Sequence, residues 1–194
     1  MMGEKKMILA ITGASGSLYA LEFLRLMAEL QVEVHGLISK AGRQVLQLEL
    51  GLTPEQLPAC RWFPIDNFAA PMASGSSLYH GMAVLPCSMG TLAAIANGNS
   101  HNLIHRAADV CLKERRRLVL AVRETPFNRI HLENMLRADG AGAVICPAMP
   151  AFYHQPRTIL DLARDYAARV ASLLGVEVPD MQRWQGFAVE IDRC

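Results

Sequence analysis

Five stretches of this chain gather side chains that can do chemistry: Thr12-Gly13-Ala14-Ser15, Ser39, Cys87-Ser88-Met89-Gly90-Thr91, Arg123-Glu124 and the loop around Tyr153. They offer hydroxyls, glycines, an arginine, a glutamate and a phenol, a donor set suited to an anion. The first is a Gly/Ser turn between an apolar run and a helical pattern. Such a turn aims backbone N–H groups and the positive end of a helix at a bound anion, and Thr12 and Ser15 add hydroxyl donors, so phosphate is the natural guest. A turn that needs glycine only for its sharp geometry is the open alternative. A dinucleotide is disfavoured, because Ser15 and Leu18 occupy the later glycine places of G-x-G-x-x-G. The second strand also ends at Ser39 and not at the acid that holds an adenine ribose. A mononucleotide fits better.

The other candidates each have two readings. Ser88 is a helix cap or, with Thr91 one turn on, a second anion or carbonyl site. Cys87 has no His in its motif to activate it and reads as a small buried residue before a nucleophile. Arg106, Asp109 and Lys113 fall at i, i+3 and i+7 on one helix face, the pattern of a solvated ion-pair ladder. Taken alone, Glu49, His131 and Glu133 read as exposed, and Arg164 and Arg169 as surface cations.

Alternating elements must position these residues. Apolar strands are expected at the Lys6–Ile11 run, Glu33–Ile38, 61–63, 81–85 (stopped by Pro86-Cys87), Arg117–Val122 and 143–146. Helical patterns cover 18–30, Lys40–Leu50 behind Ser39 as N-cap, 88–97, 103–114, 129–137 and 158–174. In the first helix Leu18, Leu21, Leu24 and Leu26 form an apolar side, with Glu22, Arg25 and Glu29 as its wet stripe. Residues 68–78 read as a flexible loop of small residues, 147–156 as a loop with three prolines, and the chain from about 175 as an irregular tail. Continuously apolar strands alternating with helices predict a doubly wound parallel sheet covered on both faces, a three-layer α/β sandwich of flavodoxin-like or Rossmann-like type. Ligands of such sheets bind outside the carboxyl ends of the strands, where the five stretches fall. No linker or repeat divides the 194 residues, which read as one domain.

Composition narrows the partners. Hydrophobic content of 52% with 19% charged residues suggests apolar surface hidden between subunits. A net charge of +1 gives no reason to expect nucleic acid or an anionic membrane. Five cysteines without CxxC pairing point to a reducing, cytoplasmic compartment and away from a zinc site. Lys5 and Lys6 before a short apolar run imitate a signal peptide, but the run is too short, and none approaches the roughly 18 residues of a membrane span.

Several motifs, in order along the chain, resemble one family. They are Thr12-Gly13-Ala14-Ser15-Gly16, Ala73-Ser74-Gly75-Ser76, Pro86-Cys87-Ser88-Met89-Gly90-Thr91-Leu92, Arg106-Ala107-Ala108-Asp109-Val110 and Leu112-Lys113-Glu114-Arg115. Arg123-Glu124-Thr125-Pro126, Ile130-His131-Leu132-Glu133-Asn134-Met135-Leu136 and Pro150-Ala151-Phe152-Tyr153-His154-Gln155-Pro156 complete the set. From about Lys6 to Trp184 the chain is similar to the UbiX flavin prenyltransferases. The resemblance implies a homo-oligomer, typically a dodecamer, of flavodoxin-like subunits with FMN at their interfaces. It implies transfer of a dimethylallyl group from dimethylallyl monophosphate to N5 and C6 of reduced FMN, without metal. The product, prenylated FMN, then serves a UbiD-type decarboxylase.

By position, the resemblance gives Gly13, Ala14, Ser15, Ser39, Ser88, Met89, Gly90, Thr91 and Arg123 to FMN. Arg106, Lys113, Tyr153 and Arg169 surround the substrate phosphate, and Glu49 and Glu124 lie near the reacting carbons, Glu124 being the preferred proton handler. Many members carry Lys at the position of Gly90, and some carry Trp at that of Phe68, part of the aromatic wall over the prenyl group. Two other readings compete: an FMN-dependent decarboxylase of the phosphopantothenoylcysteine type, which needs catalytic His and Asn loops not found here, and an FMN carrier without chemistry.

Overall fold

The computed structural model describes residues 5–179 and Met181. Among them, six apolar runs form parallel strands: β1 (Lys6–Ile11), β2 (Glu33–Ile38), β3 (Cys60–Phe63), β4 (Gly81–Cys87), β5 (Arg117–Val122) and β6 (Val144–Ile145). The helices are α1 (Ser17–Glu29), α2 (Lys40–Leu50), α3 (Met89–Ala96), α4 (Leu103–Lys113), α5 (Arg129–Gly140) and α6 (Ile159–Leu173). The sheet order is β3-β2-β1-β4-β5-β6. From β1 the chain winds outward to β3, then returns to β4 on the other side of β1. The connections diverge between β1 and β4, and a crevice opens there at the carboxyl edge.

Period-two alternation divides each strand between two cores. Met7, Leu9 and Ile11 join Ala83, Leu85, Val119 and Ala121 on one face, against Phe23, Leu24 and Met27 of α1 and Tyr166, Ala167 and Val170 of α6. Ile8 and Ala10 join Met82, Val84, Leu118 and Leu120 on the other, against Leu92 of α3 and Ile104, Ala107 and Cys111 of α4. Full burial of a side chain such as Phe23 or Leu24 contributes about 2 kcal/mol. These two layers put α4 and α6 on opposite faces of the sheet, which matters for the site.

Three expectations change. Strand β4 runs through Pro86 to Cys87, because its register with β5 shifts between Val84 and Cys87 and proline's missing N–H falls at that irregularity. Glu22 is not on a wet stripe: it is 4% exposed, and Arg25 Nη1 donates to its carboxylate at 2.6 Å. The cause is double coverage of α1, which packs on the sheet with one side and on α6 with another. The 68–78 segment is anchored, with Ala70 and Met72 buried in the second core and a 3-10 turn at Pro71–Ala73.

Candidate active site

Parallel topology delivers the ends of β1, β2, β4, β5 and β6 to one edge, and hydrogen bonds fuse the first and third of these ends. The buried Thr12 hydroxyl donates to the Pro86 carbonyl at 2.8 Å and accepts from the Ser88 N–H at 2.8 Å. Thr12 N–H also donates to Pro86 O at 3.2 Å. Thr12 is therefore a stitch between the two sides of the crevice, and its hydroxyl is not a spare phosphate donor as the sequence suggested. On the other side, Ser39 N–H donates to Ile11 O at 3.0 Å, while Ser39 Oγ caps α2 by accepting from Gly42 N–H at 2.9 Å. The Gly13 turn packs so closely on α2 that a Cβ would meet Ala41 Cβ at 2.5 Å. Glycine there serves close approach as well as the turn.

The turn does collect an anion, and that anion comes from the chain itself. Gly16 N–H donates to both Glu49 carboxylate oxygens at 3.1 Å, and Ser17 N–H to Oε2 at 2.8 Å. Gly16 reaches this geometry in the left-handed region, φ 119. Burial pulls the Glu49 pKa up, but hydrogen bonds from Ser15, Ser17 and Gly16 outweigh it and leave it below the ordinary value. The last turn of α2 thus brings to the Gly/Ser turn a carboxylate that the sequence alone had marked as merely exposed.

Glu49 lines a cleft of about 390 Å³ together with Ser15, Gly16, Leu18, Tyr19, Leu50, Arg123, Ala148, Ile159, Leu162 and Ala163. Its polar side is Ser15, Glu49 and Arg123, from the ends of β1, α2 and β5; its floor is aliphatic. Tyr19 was not singled out in the sequence; it lies in the first turn of α1, directly after the Gly/Ser turn. Burial raises the Tyr19 pKa, with Arg123 pulling the other way. A cavity of about 310 Å³ holds Tyr153 and Arg169 with Cys146, Asp165 and Tyr166. Tyr166 Oη donates to Cys146 O at 2.7 Å and fixes the end of β6 to α6.

Ser88 Oγ caps α3, accepting from Thr91 N–H at 3.5 Å and donating to Thr91 Oγ1 at 3.2 Å. Met89 and Gly90 open α3, and a Cβ on Gly90 would meet nothing within 4 Å, so space does not dictate glycine there. Ala14 is buried. Arg123 N–H donates to Cys87 O at 3.1 Å, and the exposed Glu124 accepts from Thr125 N–H at 3.0 Å. Full burial pushes the Cys87 thiol to about 12, which fits the small-buried-residue reading. Arg106 and Lys113 lie on α4: Arg106 Nη1 pairs with Asp109 Oδ2 at 2.8 Å, and Lys113 pairs with Glu114. The ladder expected on this helix is present for Arg106 and Asp109. Arg106 and Lys113 belong to the α4 face of the sheet and Tyr153 and Arg169 to the α6 face, so one chain does not assemble all four around one point.

Fold and crevice together define a doubly wound α/β protein with a mononucleotide-type cleft at its strand ends. A family model described as Flavoprotein matches residues 1–167. The chain is 46% identical over 184 residues to a flavin prenyltransferase UbiX from Methanothermobacter thermautotrophicus, covering 94% of this chain and 96% of that protein. It superposes with TM-score 0.91 and 42% identity on a crystal structure of AnUbiX (PadA1) in complex with FMN and dimethylallyl pyrophosphate, covering 95% and 99% of the two chains. A dodecameric FMN-dependent Ubix-like decarboxylase from Escherichia coli O157:H7 gives TM-score 0.88 at 41% identity, over 93% of this chain and all of that one. The chain belongs to the UbiX family of flavin prenyltransferases. Among the described residues, no helix is long and apolar enough to cross a membrane, and no group of three or more His, Cys, Asp or Glu is placed to hold a metal.

Proposed function

We propose that this protein is a flavin prenyltransferase that joins a dimethylallyl group from dimethylallyl monophosphate to N5 and C6 of reduced FMN. The observation that carries the proposal is the convergence of Ser15, Glu49 and Arg123 from separate elements on one cleft beside the β1/β4 crevice. The donor set fits a flavin mononucleotide. The N-termini of α2 and α3 both open onto the strand-end edge, an arrangement that favours phosphate. Strand β2 is followed by Ser39 and not by a ribose-binding acid, and the cleft's largely apolar lining suits a flat ring. Gly13, Ala14, Ser15, Ser39, Ser88, Met89, Gly90, Thr91 and Arg123 would hold the flavin, which when reduced and bound supplies the nucleophilic atoms.

The protein's part is electrostatic. Departure of phosphate from an allylic carbon leaves negative charge on oxygen and positive charge on the prenyl group. Arg106, Lys113, Arg169 and the Tyr153 hydroxyl stabilise the leaving anion, and each preorganised donor supplies on the order of 3 kcal/mol. Phe68, 48% exposed, is the aromatic face assigned to the cation. Ring closure releases a proton to a carboxylate or to the released phosphate. Glu49 lines the cleft and is ionised at neutral pH, whereas Glu124, the preferred proton handler, follows Arg123 directly; they are the two carboxylates in this role.

In the same reading the chain is one flavin-binding domain, the tail expected from about 175 lying mostly outside the described residues; the protein acts in the cytoplasm as a homo-oligomer of dodecameric type, and a UbiD-type decarboxylase receives the prenylated FMN. A decarboxylase of the phosphopantothenoylcysteine type and a passive FMN carrier are less favoured, since neither needs cations at both α4 and α6. Single-turnover prenyl transfer with reduced FMN tests the assignment. Lys113→Ala and Arg169→Ala should each slow transfer roughly 10²-fold while FMN still binds, and Tyr153→Phe should do less because its ring remains. Wild-type turnover in both alanine variants would move the phosphate elsewhere.

A further inference from the structure

The Ala73-Ser74-Gly75-Ser76 segment is held to α4 and the turn after it by two arginines, one on each side of Ser74. Arg106 Nε donates to Ala73 O at 3.0 Å, and Arg116 Nη2 donates to Gly75 O at 2.6 Å. Within the segment the Ser74 and Ser76 hydroxyls are 2.9 Å apart, and Ser76 N–H donates to Ser74 Oγ at 3.3 Å. Gly75 lies directly under the Lys113–Glu114 pair: a Cβ there would overlap Glu114 Oε1 and come within 2.6 Å of Lys113 Nζ. One short loop therefore touches both α4 cations, and its far end is fastened by Arg116, a residue with no part in the mechanism above.

We propose that Arg116 is a positioning residue for prenyl-phosphate binding: by holding the Gly75 carbonyl it seats the 73–76 loop on α4 and so sets the placement of Arg106 and Lys113. Arg106 needs this support because its Nε is spent on Ala73 and its Nη1 on Asp109. Movement of the loop carries that guanidinium with it. Lys113 needs it because the Gly75 backbone forms the surface under its ammonium group. The inference rests on the reading that Arg106 and Lys113 face the substrate phosphate.

The test is steady-state kinetics of the full-length protein, saturated with reduced FMN, with dimethylallyl monophosphate varied. Loss of a charge-assisted hydrogen bond predicts that Arg116→Ala raises KM about tenfold. The value of kcat stays within about threefold and FMN affinity is unchanged. Arg116→Lys, which keeps a cationic donor, recovers most of the loss. Arg116→Met, which keeps the apolar stem of the side chain and removes its donors, should raise KM by a similar factor, so it carries the test if Arg116→Ala does not fold. A wild-type KM in Arg116→Ala, or in Arg116→Met where that variant stands in, overturns the inference while Lys113→Ala is impaired. Wild-type turnover in Lys113→Ala overturns the underlying phosphate assignment.

Discussion

Glu49 shows how a side chain with no motif of its own becomes central once the fold closes. Its carboxylate accepts from two backbone N–H groups, that of Gly16 shared between both oxygens and that of Ser17, and its pKa is held below the ordinary carboxylate value by these hydrogen bonds against the opposing effect of burial. A depressed carboxylate stabilises the fold fully above its unfolded pKa, and that stabilisation disappears as pH falls through the folded value. Glu49→Gln should therefore cost about 1 kcal/mol at neutral pH, an amount modest because the site is partly exposed, and lose less further stability on acidification than the parent. Urea titrations at neutral and acid pH measure this, and parallel stability curves for the two proteins would refute it. Prenyl transfer by Glu49→Gln and Glu124→Gln then says which carboxylate takes the proton. Cys87 is the opposite case: burial and a thiol near 12 predict no labelling by iodoacetamide in the folded protein at neutral pH. Both residues show what a local reading can see. An apolar strand end before Ser88 announces a buried cysteine, whereas Glu49 meets Gly16 across more than thirty residues of chain, a contact that only the packing of α2 on β1 creates.

The packing of α2 on β1 depends on small residues. A Cβ on Gly42 would sit 2.7 Å from Ile11 O and 3.1 Å from Ile11 C, backbone atoms that cannot swing aside. Gly42→Ala should destabilise by about 1–3 kcal/mol, read as a lowered midpoint in denaturant. Gly90→Ala, at a helix start with open space around it, should stay within about 0.5 kcal/mol of wild type. Strand and helix positions were legible because β1, β4 and β5 are long, largely apolar runs and because Ser39 and Ser88 announce the starts of α2 and α3, which they cap. Pro86 misled because proline normally ends a strand, and here the ladder breaks register around it. Glu22 misled because periodicity reports one buried face, and α1 has two.

At the scale of the molecule, the opposite-face placement of α4 and α6 separates Arg106 and Lys113 from Tyr153 and Arg169, the four residues proposed for the substrate phosphate and grouped together by the family resemblance. A single substrate phosphate can touch all four only if α4 of one copy meets α6 of another. The surface offers apolar area for such contacts, with Ile130, Leu136, Met149, Phe152 and Ile159 between 66% and 74% exposed. Light scattering should show an oligomer, and an active monomer would remove Arg106 from the site. Co-assembly of the two slowed variants, Lys113→Ala and Arg169→Ala, should restore full activity at about a quarter of the sites, those built from one intact half of each chain.

Product mass after one turnover tests prenyl transfer to the flavin most directly. Purified protein is mixed under reducing, oxygen-free conditions with reduced FMN and dimethylallyl monophosphate, and the flavin is extracted and weighed. The expected product is FMN heavier by one isoprene unit, with inorganic phosphate released in equal amount and no added metal required. Recovery of unmodified FMN with the monophosphate intact, from protein that binds both, would contradict prenyl transfer.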